Sequence, residues 1–227
     1  LLALLLVFAA QAVLGQQFSV PRQSPAATAL SSSSTSSSDA AGQMLREGRL
    51  LEMEGRWGEA LTHYEDAMRR FPEHDALQRR FEFTRLHYDL GRRYADRSFR
   101  SAVESLGFEA ALDVYEEVLL KIQAHYVESP NFKELLERGS NCLEVALTER
   151  VFLDHLAPEV KAEAVDRFRG ELRRSLGLRV VRTRADAREA VALAAEMAWN
   201  RLGIPRAATV LEYTCGATSS LDAYSAY

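Results

Sequence analysis

The stretch that decides the fold is AGQMLREGRLLEMEGRWGEALTHYEDAMRRFPEH, residues 41–74. Its apolar residues recur at steps of three and four, first up to Gly55 and then again up to Pro72. This spacing places them on one face of an α-helix, and glycine and proline are the residues that most often interrupt helices. The stretch therefore predicts two helices joined by a turn near Gly55.

Six positions of this stretch have the spacing of a tetratricopeptide repeat, a helical hairpin of about 34 residues. Counted from Ala41, they occupy repeat positions 8, 15, 20, 24, 27 and 32, and they are Gly48, Gly55, Ala60, Tyr64, Ala67 and Pro72. Small residues let two helices approach closely, and proline cannot continue a helix. The stretch thus resembles such a repeat, which implies that a neighbouring element covers its outer face.

The segment that follows, residues 75–100, also predicts helix, but it lacks the glycine and alanine spacing of the repeat. We interpret it as a degenerate second repeat or as a capping helix. Residues 69–100 hold nine arginines and five acidic residues. Interleaved charge of this kind is typical of a solvated helical face. A nucleic-acid-binding stripe is the alternative, and it would require that the protein is not exported.

Apolar periodicity continues to the end of the chain and predicts five more helices. They are expected over 109–127, over about 131–154 with Gly139 as a weak point, over a stretch after Pro158, up to Leu202, and from Pro205 to near Gly216. Residues 178–183, LRVVRT, are too few to classify, and a short strand is one interpretation. The predicted fold class is all-α, a tetratricopeptide-like hairpin followed by a helical bundle or array.

The chain starts with an apolar run, LLALLLVFAA, at residues 1–10. A membrane span needs about 20 apolar residues, so this run predicts a signal peptide over residues 1–15 and an exported protein, periplasmic or membrane-associated in a bacterium. A retained anchor helix is the alternative. Residues 16–40 include SSSSTSSS and predict a disordered linker, because such a stretch has nothing to bury.

Composition excludes several classes of function. The chain has 28 basic and 32 acidic side chains, so its net charge does not favour binding to nucleic acid. Cys142 and Cys215 are too few for a disulfide scaffold, and they are expected to be buried thiols, with a bridge as the alternative. The five histidines are scattered, without the spacing of metal ligands. We therefore expect no metal and no cofactor.

Two segments resemble the carboxyl-terminal processing peptidases, also called tail-specific proteases. ALDVYEEVLLKIQAHYVE, residues 111–128, resembles a helix near the start of that family that ends in a Tyr-Val pair, here Tyr126–Val127. SSLDAYSAY, residues 219–227, resembles the family's Leu-Asp-Pro-Tyr-Ser segment, with Ala223 at the usual proline position. The matching residues of this terminal motif are Leu221, Asp222, Tyr224, Ser225 and Tyr227.

The resemblance implies that this chain is part of a longer parent chain with several domains. Residues 41–107 would be the repeat region, and residues 108–227 the helical domain that precedes a PDZ domain and a catalytic core. Family members are serine endopeptidases with a Ser–Lys dyad, which lies downstream of the terminal motif. None of the residues of this chain is therefore expected to be catalytic. The peptidase activity is a prediction for the longer parent protein. Asp222 and Ser225 are expected to make turn hydrogen bonds.

These inferences predict a helical accessory region of an exported peptidase that serves protein–protein interaction, substrate recruitment or regulation. Its partners would be proteins or peptides and the downstream domains, with no nucleic acid, and the leader would be its only contact with a membrane. The expected partner contacts on the repeat's concave face are Tyr64, Tyr88 and Arg85. The alternative is a non-enzymatic exported repeat adaptor, and an arginine-rich nucleic-acid binder is a third, weaker hypothesis.

Overall fold

The computed structural model describes residues 33–125 and 130–219, and in these ranges it contains ten α-helices and no strand. The prediction of an all-α fold is confirmed. The helices are α1 (Ser33–Met53), α2 (Trp57–Arg70), α3 (Asp75–Ala95), α4 (Arg97–Ser105), α5 (Phe108–His125), α6 (Phe132–Ala146), α7 (Arg150–Leu156), α8 (Ala162–Gly177), α9 (Arg184–Leu202) and α10 (Arg206–Thr218). None of these described helices is long and apolar enough to cross a bilayer.

The described residues form two compact units that divide between Leu90 and Gly91, within α3. We call the residues up to Leu90 the hairpin unit and those from Gly91 onward the bundle unit. The sequence predicted a boundary between residues 107 and 108 instead. α4 precedes that position but packs against α10, which explains why it belongs to the bundle unit.

The hairpin unit is built from α1, α2 and the first part of α3. α1 and α2 pack against each other, and the turn between them contains Gly55 with a φ angle of 70°. That backbone conformation favours glycine, because a side chain there is strained. The buried core of this unit consists of Ala41, Ala60, Tyr64, Ala67 and Leu77, with partly buried apolar side chains such as Phe71 and Phe81 around it.

The start of α1 differs from the sequence prediction. The helix begins at Ser33, so residues 33–40 are helical although they were assigned to the linker. Serine costs only a few tenths of a kcal/mol more than alanine in a helix, and each added residue contributes one more backbone hydrogen bond. The helix can therefore extend through a serine run once the residues that follow are fixed. The rest of the predicted leader and linker, residues 1–32, lies outside the described residues.

The bundle unit is organised around α10. Residues 207–217 of this helix are all buried, and α10 packs against α4, α5, α6 and α9. A helix that is enclosed on all sides has no solvent-facing stripe, so its polar side chains must find partners inside the protein. The buried polar residues of α10 are Thr209, Glu212 and Thr214; Glu212 and Thr214 have hydrogen-bond partners among the described residues, whereas the Thr209 hydroxyl has none.

Several helices of the bundle unit begin at residues that satisfy exposed backbone N–H groups. The Asp96 carboxylate accepts from the amide of Ser98 at 2.7 Å, and the Asn131 side chain accepts from the amide of Lys133 at 3.1 Å. At the start of α9, Thr183 and Asp186 form a reciprocal capping box. Such caps stabilise a helix by about 1 kcal/mol each, and they define where these helices begin.

One local prediction was wrong in the bundle unit, and one segment that the sequence left unclassified is now assigned. The helix predicted over about 131–154 is interrupted at residues 147–149 and not at Gly139, which lies within α6. The Thr148 hydroxyl and amide both donate to the Val145 carbonyl, at 2.7 and 2.9 Å, and this tight turn ends the helix. Residues 179–182 form a connection without secondary structure, so they are not a strand.

Candidate functional site

The interior of the hairpin unit depends on the close approach of Gly48 and Tyr64. A Cβ atom added at Gly48 would lie 2.3 Å from Cζ of Tyr64, far inside van der Waals contact. The Tyr64 side chain is therefore held between α1 and α2, and it is fully buried. This burial corrects one prediction, because a tyrosine without exposed surface cannot contact a partner. Of the three predicted contacts, Tyr88 and Arg85 remain candidates.

A buried carboxylate lies next to this packing contact, and we call its surroundings the Glu52 cluster. Glu52 on α1 accepts from Nε of Arg80 at 3.0 Å and from the Thr84 hydroxyl at 3.2 Å. Burial opposes the charge on Arg80, but the bond to Glu52 and its charge raise the pKa of the guanidinium overall. Burial, with the nearby Glu52 carboxylate, also raises the pKa of Tyr64. The cluster therefore holds Arg80 in one position with its charge intact.

Arg80 lies at one end of a set of rings in contact with one another. Its guanidinium carbon lies 4.3 Å from the centroid of the Phe83 ring, which in turn lies 4.4 Å from the ring of His87. His87 stacks on Trp57 at 4.0 Å between centroids and 18° between planes. Trp57 and Phe83 are partly exposed, and His87 is buried beneath them. We call Trp57, Arg80, Phe83 and His87 the aromatic–arginine surface.

The two remaining predicted contacts lie on α3, the helix that carries most of this surface. Tyr88 is partly exposed, and its ring approaches α2, where a Cβ atom added at Gly58 would lie 3.3 Å from Cε2. Arg85 is also partly exposed. The predictions of Tyr88 and Arg85 thus point to the same helix as the ring stack. The sequence predicted Trp57 to be a core residue of the hairpin, because it has the three- and four-residue spacing of a buried helix face, and no prediction was made for Phe83.

The bundle unit contains a second and more deeply buried ionic group, the Glu212 cluster. Glu212 in the middle of α10 accepts from Nη2 of Arg93 at 2.7 Å and from the Tyr94 hydroxyl at 3.0 Å. Its side chain has no exposed surface, and that of Arg93 is 11% exposed. The two residues of α3 thus bind one carboxylate of α10.

The electrostatics of the Glu212 cluster are dominated by burial. Burial raises the pKa of Glu212, and the charge of Arg93 together with the hydrogen bonds from Tyr94 and Arg93 offsets part of the rise. Burial also raises the pKa of Tyr94, so its hydroxyl stays protonated and can donate. Cys142 and Cys215 are buried thiols, in agreement with their interpretation as small buried side chains. Their electrostatic interaction with Arg93 contributes to a raised pKa of the guanidinium. The cluster serves to anchor α10.

α10 crosses α6 at a contact between two glycines. A Cβ atom added at Gly216 would lie 2.5 Å from Cα of Gly139, and one added at Gly139 would lie 2.4 Å from Cδ1 of Tyr213. The Tyr213 hydroxyl is 3.0 Å from the Ser140 hydroxyl, so this buried ring also has a polar partner. Gly139 therefore permits a close helix crossing, which is a different role from the weak point predicted from the sequence.

Two further ionisable residues, Glu116 and His155, lie beside other ionisable side chains. Glu116 pairs with Arg188 at 3.7 Å, and Nε2 of His155 lies 3.2 Å from the Glu104 carboxylate. No three His, Cys, Asp or Glu side chains of residues 33–125 and 130–219 come together as a metal site. The terminal motif, Leu221 to Tyr227, and the pair Tyr126–Val127 lie outside the described residues.

Comparisons of the chain with protein families, curated proteins and solved structures found no match. The function of this chain is therefore inferred from its own residues. Two features carry it: the aromatic–arginine surface of the hairpin unit, and the anchored helix α10 of the bundle unit.

Proposed function

We propose that this chain is a helical accessory region that binds protein or peptide partners for an exported serine endopeptidase of the carboxyl-terminal processing type. The observation that carries the binding role is the aromatic–arginine surface, where Arg80 lies 4.3 Å above Phe83. Aromatic and arginine side chains dominate the binding energy of protein interfaces, because they bury large areas and can also hydrogen bond. The surface has the composition of an interface centre.

The geometry of the surface supports binding rather than only packing. Trp57 is stacked on His87, and Arg80 is held by Glu52, so little side-chain entropy remains to be lost when a partner binds. Arg80 supplies the positive charge next to the rings, and Arg85 lies on the same helix and is partly exposed. The best-matched partner is a peptide with an apolar or aromatic side chain next to an acidic group.

The accessory role draws support from the bundle unit. The residues that resemble the peptidase terminal motif, 219–227, directly follow α10 in the sequence. α10 is buried along its length and is anchored by Glu212, so it is a rigid support. In the proposed peptidase, this helix would hold the start of the next domain in a fixed direction.

Peptide binding is testable by fluorescence of Trp57 in a Trp199→Phe background, which leaves one tryptophan. We expect acidic-aromatic peptides from a random library to change this fluorescence, and Phe83→Ala to weaken their binding by about tenfold or more. Leu50→Ala is the matched control, since Leu50 is 54% exposed in the same unit but lies outside the surface. Equal affinity of the Phe83 and Leu50 variants would contradict the proposed surface.

The peptidase part is tested separately. The reading frame that encodes this chain is expected to encode, beyond residue 227, a PDZ domain and a Ser…Lys pair. The parent protein should then degrade a peptide-tagged substrate faster than a Phe83→Ala parent does. A parent with peptide binding but without those domains or any proteolysis would support the second hypothesis, an exported repeat adaptor. That hypothesis depends on the aromatic–arginine surface alone.

A further inference from the structure

The connection between α8 and α9 exposes aliphatic side chains to solvent. Leu178 is 89% exposed and Val180 is 69% exposed, whereas the neighbouring Val181 is buried. Isolated exposed apolar residues are common, but two such residues at the same tip need an explanation when they coincide with strong charge. We call residues 173–184 the arginine tip.

The charge of the arginine tip is all of one sign. Its twelve residues, RRSLGLRVVRTR, contain five arginines and no aspartate or glutamate. Arg173 is paired with Glu144. The other four take part in no ion pair with any described residue, and they are Arg174, Arg179, Arg182 and Arg184.

Of the two acidic residues that flank the tip, Glu171 pairs with Arg201 outside it at 2.9 Å, and Asp186 interacts with Arg182 mainly through the backbone. The Asp186 carboxylate accepts from the backbone amides of Arg182 and Thr183, both at 2.9 Å. These bonds lower the pKa of Asp186, and they fix the path of the backbone at the start of α9. The tip is therefore a fixed turn with exposed apolar side chains at its centre and cationic side chains around them.

We propose that the arginine tip binds the surface of a bilayer that contains anionic phospholipids. Leu178 and Val180 enter the boundary between headgroups and acyl chains, while Arg174, Arg179 and Arg182 contact lipid phosphates. Basic residues around a small apolar insertion are the combination that attaches proteins to membrane interfaces.

The exposure of Leu178 favours a bilayer over a soluble partner. A side chain that is 89% exposed has almost no neighbouring atoms, so it cannot be part of the wall of a peptide pocket. A bilayer supplies the apolar environment itself and needs no pocket. Nucleic acid would use the arginines, but it offers no environment for a leucine and a valine.

The net charge of the whole chain does not oppose this interaction. The chain carries a formal charge of −4, but the Debye length is about 8 Å at physiological ionic strength. A membrane close to the tip therefore responds mainly to the local arginines. This inference goes beyond the sequence expectation, in which only the leader contacts a membrane, and it is independent of the peptide-binding surface.

The position of the tip can be measured with a fluorophore that brightens in an apolar environment, attached to the full chain at Val180→Cys. Cys142 and Cys215 are buried, so the label goes to the new position. Leu4→Gln, Leu6→Gln and Phe8→Gln are introduced throughout, because the apolar run at residues 1–10 could bind lipid itself. We expect a blue shift with vesicles of phosphatidylcholine and about 30% phosphatidylglycerol, and none with pure phosphatidylcholine.

Matched variants distinguish membrane binding by the arginine tip from a general effect of positive charge on the protein. Each arginine near an anionic surface contributes about a fivefold factor in partitioning, so Arg179→Gln with Arg182→Gln should lower it by about 25-fold. Arg46→Gln with Arg49→Gln makes the same charge change on the exposed face of α1 and should have less than a twofold effect. A label at Met53→Cys, a position that is 77% exposed, should show no blue shift.

Three results would overturn the proposal. One is a label at position 180 that does not respond to anionic vesicles, and another is an equal response to neutral ones. The third is a blue shift with soluble poly-glutamate and not with vesicles, which would assign the tip to an acidic polypeptide. Circular dichroism of each variant establishes that helix content is unchanged before its binding is compared.

Discussion

The hairpin unit and the bundle unit each bury a glutamate that is paired with an arginine of α3, but the two pairs differ in depth. Arg80, the partner of Glu52, is 27% exposed and lies 28 residues away in the sequence. Arg93, the partner of Glu212, is 11% exposed and lies 119 residues away. The comparison teaches that the same residue types, paired through the same helix, can be buried to different depths, and that the packing around each pair decides which arginine reaches water.

This difference in depth predicts a difference in energy. A buried ion pair is not in itself strongly stabilising, because desolvation offsets the attraction between its charges. Removing one partner is nevertheless costly when the other charge cannot reach water. Glu212 has no exposed surface and its partner Arg93 is largely buried, whereas Glu52 is 6% exposed and its partner Arg80 is partly exposed. The clusters should therefore respond unequally to the same substitution.

The largest effect is expected from Arg93→Met, which keeps the volume of the side chain but leaves Glu212 without its cation. Loss of one partner from a buried pair costs about 3–5 kcal/mol of the free energy of unfolding. Guanidinium denaturation followed by Trp199 fluorescence in a Trp57→Phe background measures this loss in the bundle unit. A loss below about 1 kcal/mol would mean that Glu212 is not enclosed as the structure has it.

A second substitution distinguishes charge from packing at this site. Arg93→Met combined with Glu212→Gln removes the uncompensated charge and keeps a side chain that can bond to Tyr94. The double variant should recover about half or more of the lost stability. If it is as unstable as Arg93→Met alone, the loss comes from packing around α3.

The next largest effect is expected from Gly216→Ala in the bundle unit. The added methyl group would lie 2.5 Å from Cα of Gly139, and a backbone atom cannot move aside as a side chain can. Overpacking of a core costs about 1–3 kcal/mol, and we expect the upper end here. The matched control is Gly170→Ala, since a Cβ atom at Gly170 meets nothing within 4 Å and should stabilise α8 slightly. Equal stability of the two variants would contradict the close crossing.

These two units also differ in how far their structure could be predicted from the sequence. The hairpin unit follows from local spacing: apolar steps of three and four, and a glycine at a position that requires a positive φ angle, Gly55. The role of Glu212 had no local signal, because its partners are 118 and 119 residues away. Because α10 is buried on all sides, its apolar residues do not mark a single face. The sequence pattern therefore could not show which neighbours each side of this helix packs against.

The errors in the sequence predictions have related causes. The interruption at residues 147–149 contains neither glycine nor proline, and it arises from hydrogen bonds of Thr148 to Val145. Tyr64 was assigned both to packing and to partner binding, and only burial decides between these roles. Trp57 has helix-core spacing, and its contacts with the rings of Phe83 and His87 depend on how α2 and α3 are placed.

A smaller effect is expected from Arg80→Met, the counterpart of Arg93→Met in the hairpin unit. Glu52 loses its cation but keeps the Thr84 hydroxyl, and water can reach it where the Arg80 side chain was partly exposed. We expect a loss of about 1–2 kcal/mol, measured by Trp57 fluorescence in the Trp199→Phe background. A loss as large as that of Arg93→Met would show that depth does not set the cost.

The smallest effect tests whether the loss of unfolding free energy depends on how deeply an ion pair is buried or on which unit contains it. Glu144 on α6 belongs to the bundle unit, but its partners Arg169 and Arg173 on α8 are 29% and 62% exposed. Burial by itself raises the pKa of Glu144, and the bonds and charges of the two arginines outweigh it, so the pKa lies below its ordinary value of 4.5. If depth decides, Glu144→Gln should cost only about 1 kcal/mol at neutral pH, although it lies in the same unit as Glu212.

The pH dependence of that loss gives the sharper measurement. Because the pKa is lower in the folded protein, the contribution of Glu144 to stability is fully present above the unfolded value of 4.5 and disappears as the pH falls through the folded value. The difference in unfolding free energy between the native chain and Glu144→Gln should therefore be constant from pH 7 to about pH 5 and shrink below that. A difference that persists at about pH 2 would mean that the carboxylate charge is not its source. A loss near 3–5 kcal/mol at pH 7 would mean that exposed arginine partners do not reduce the cost of removing the carboxylate. The difference between the two units would then have a cause other than the burial of the ion pair.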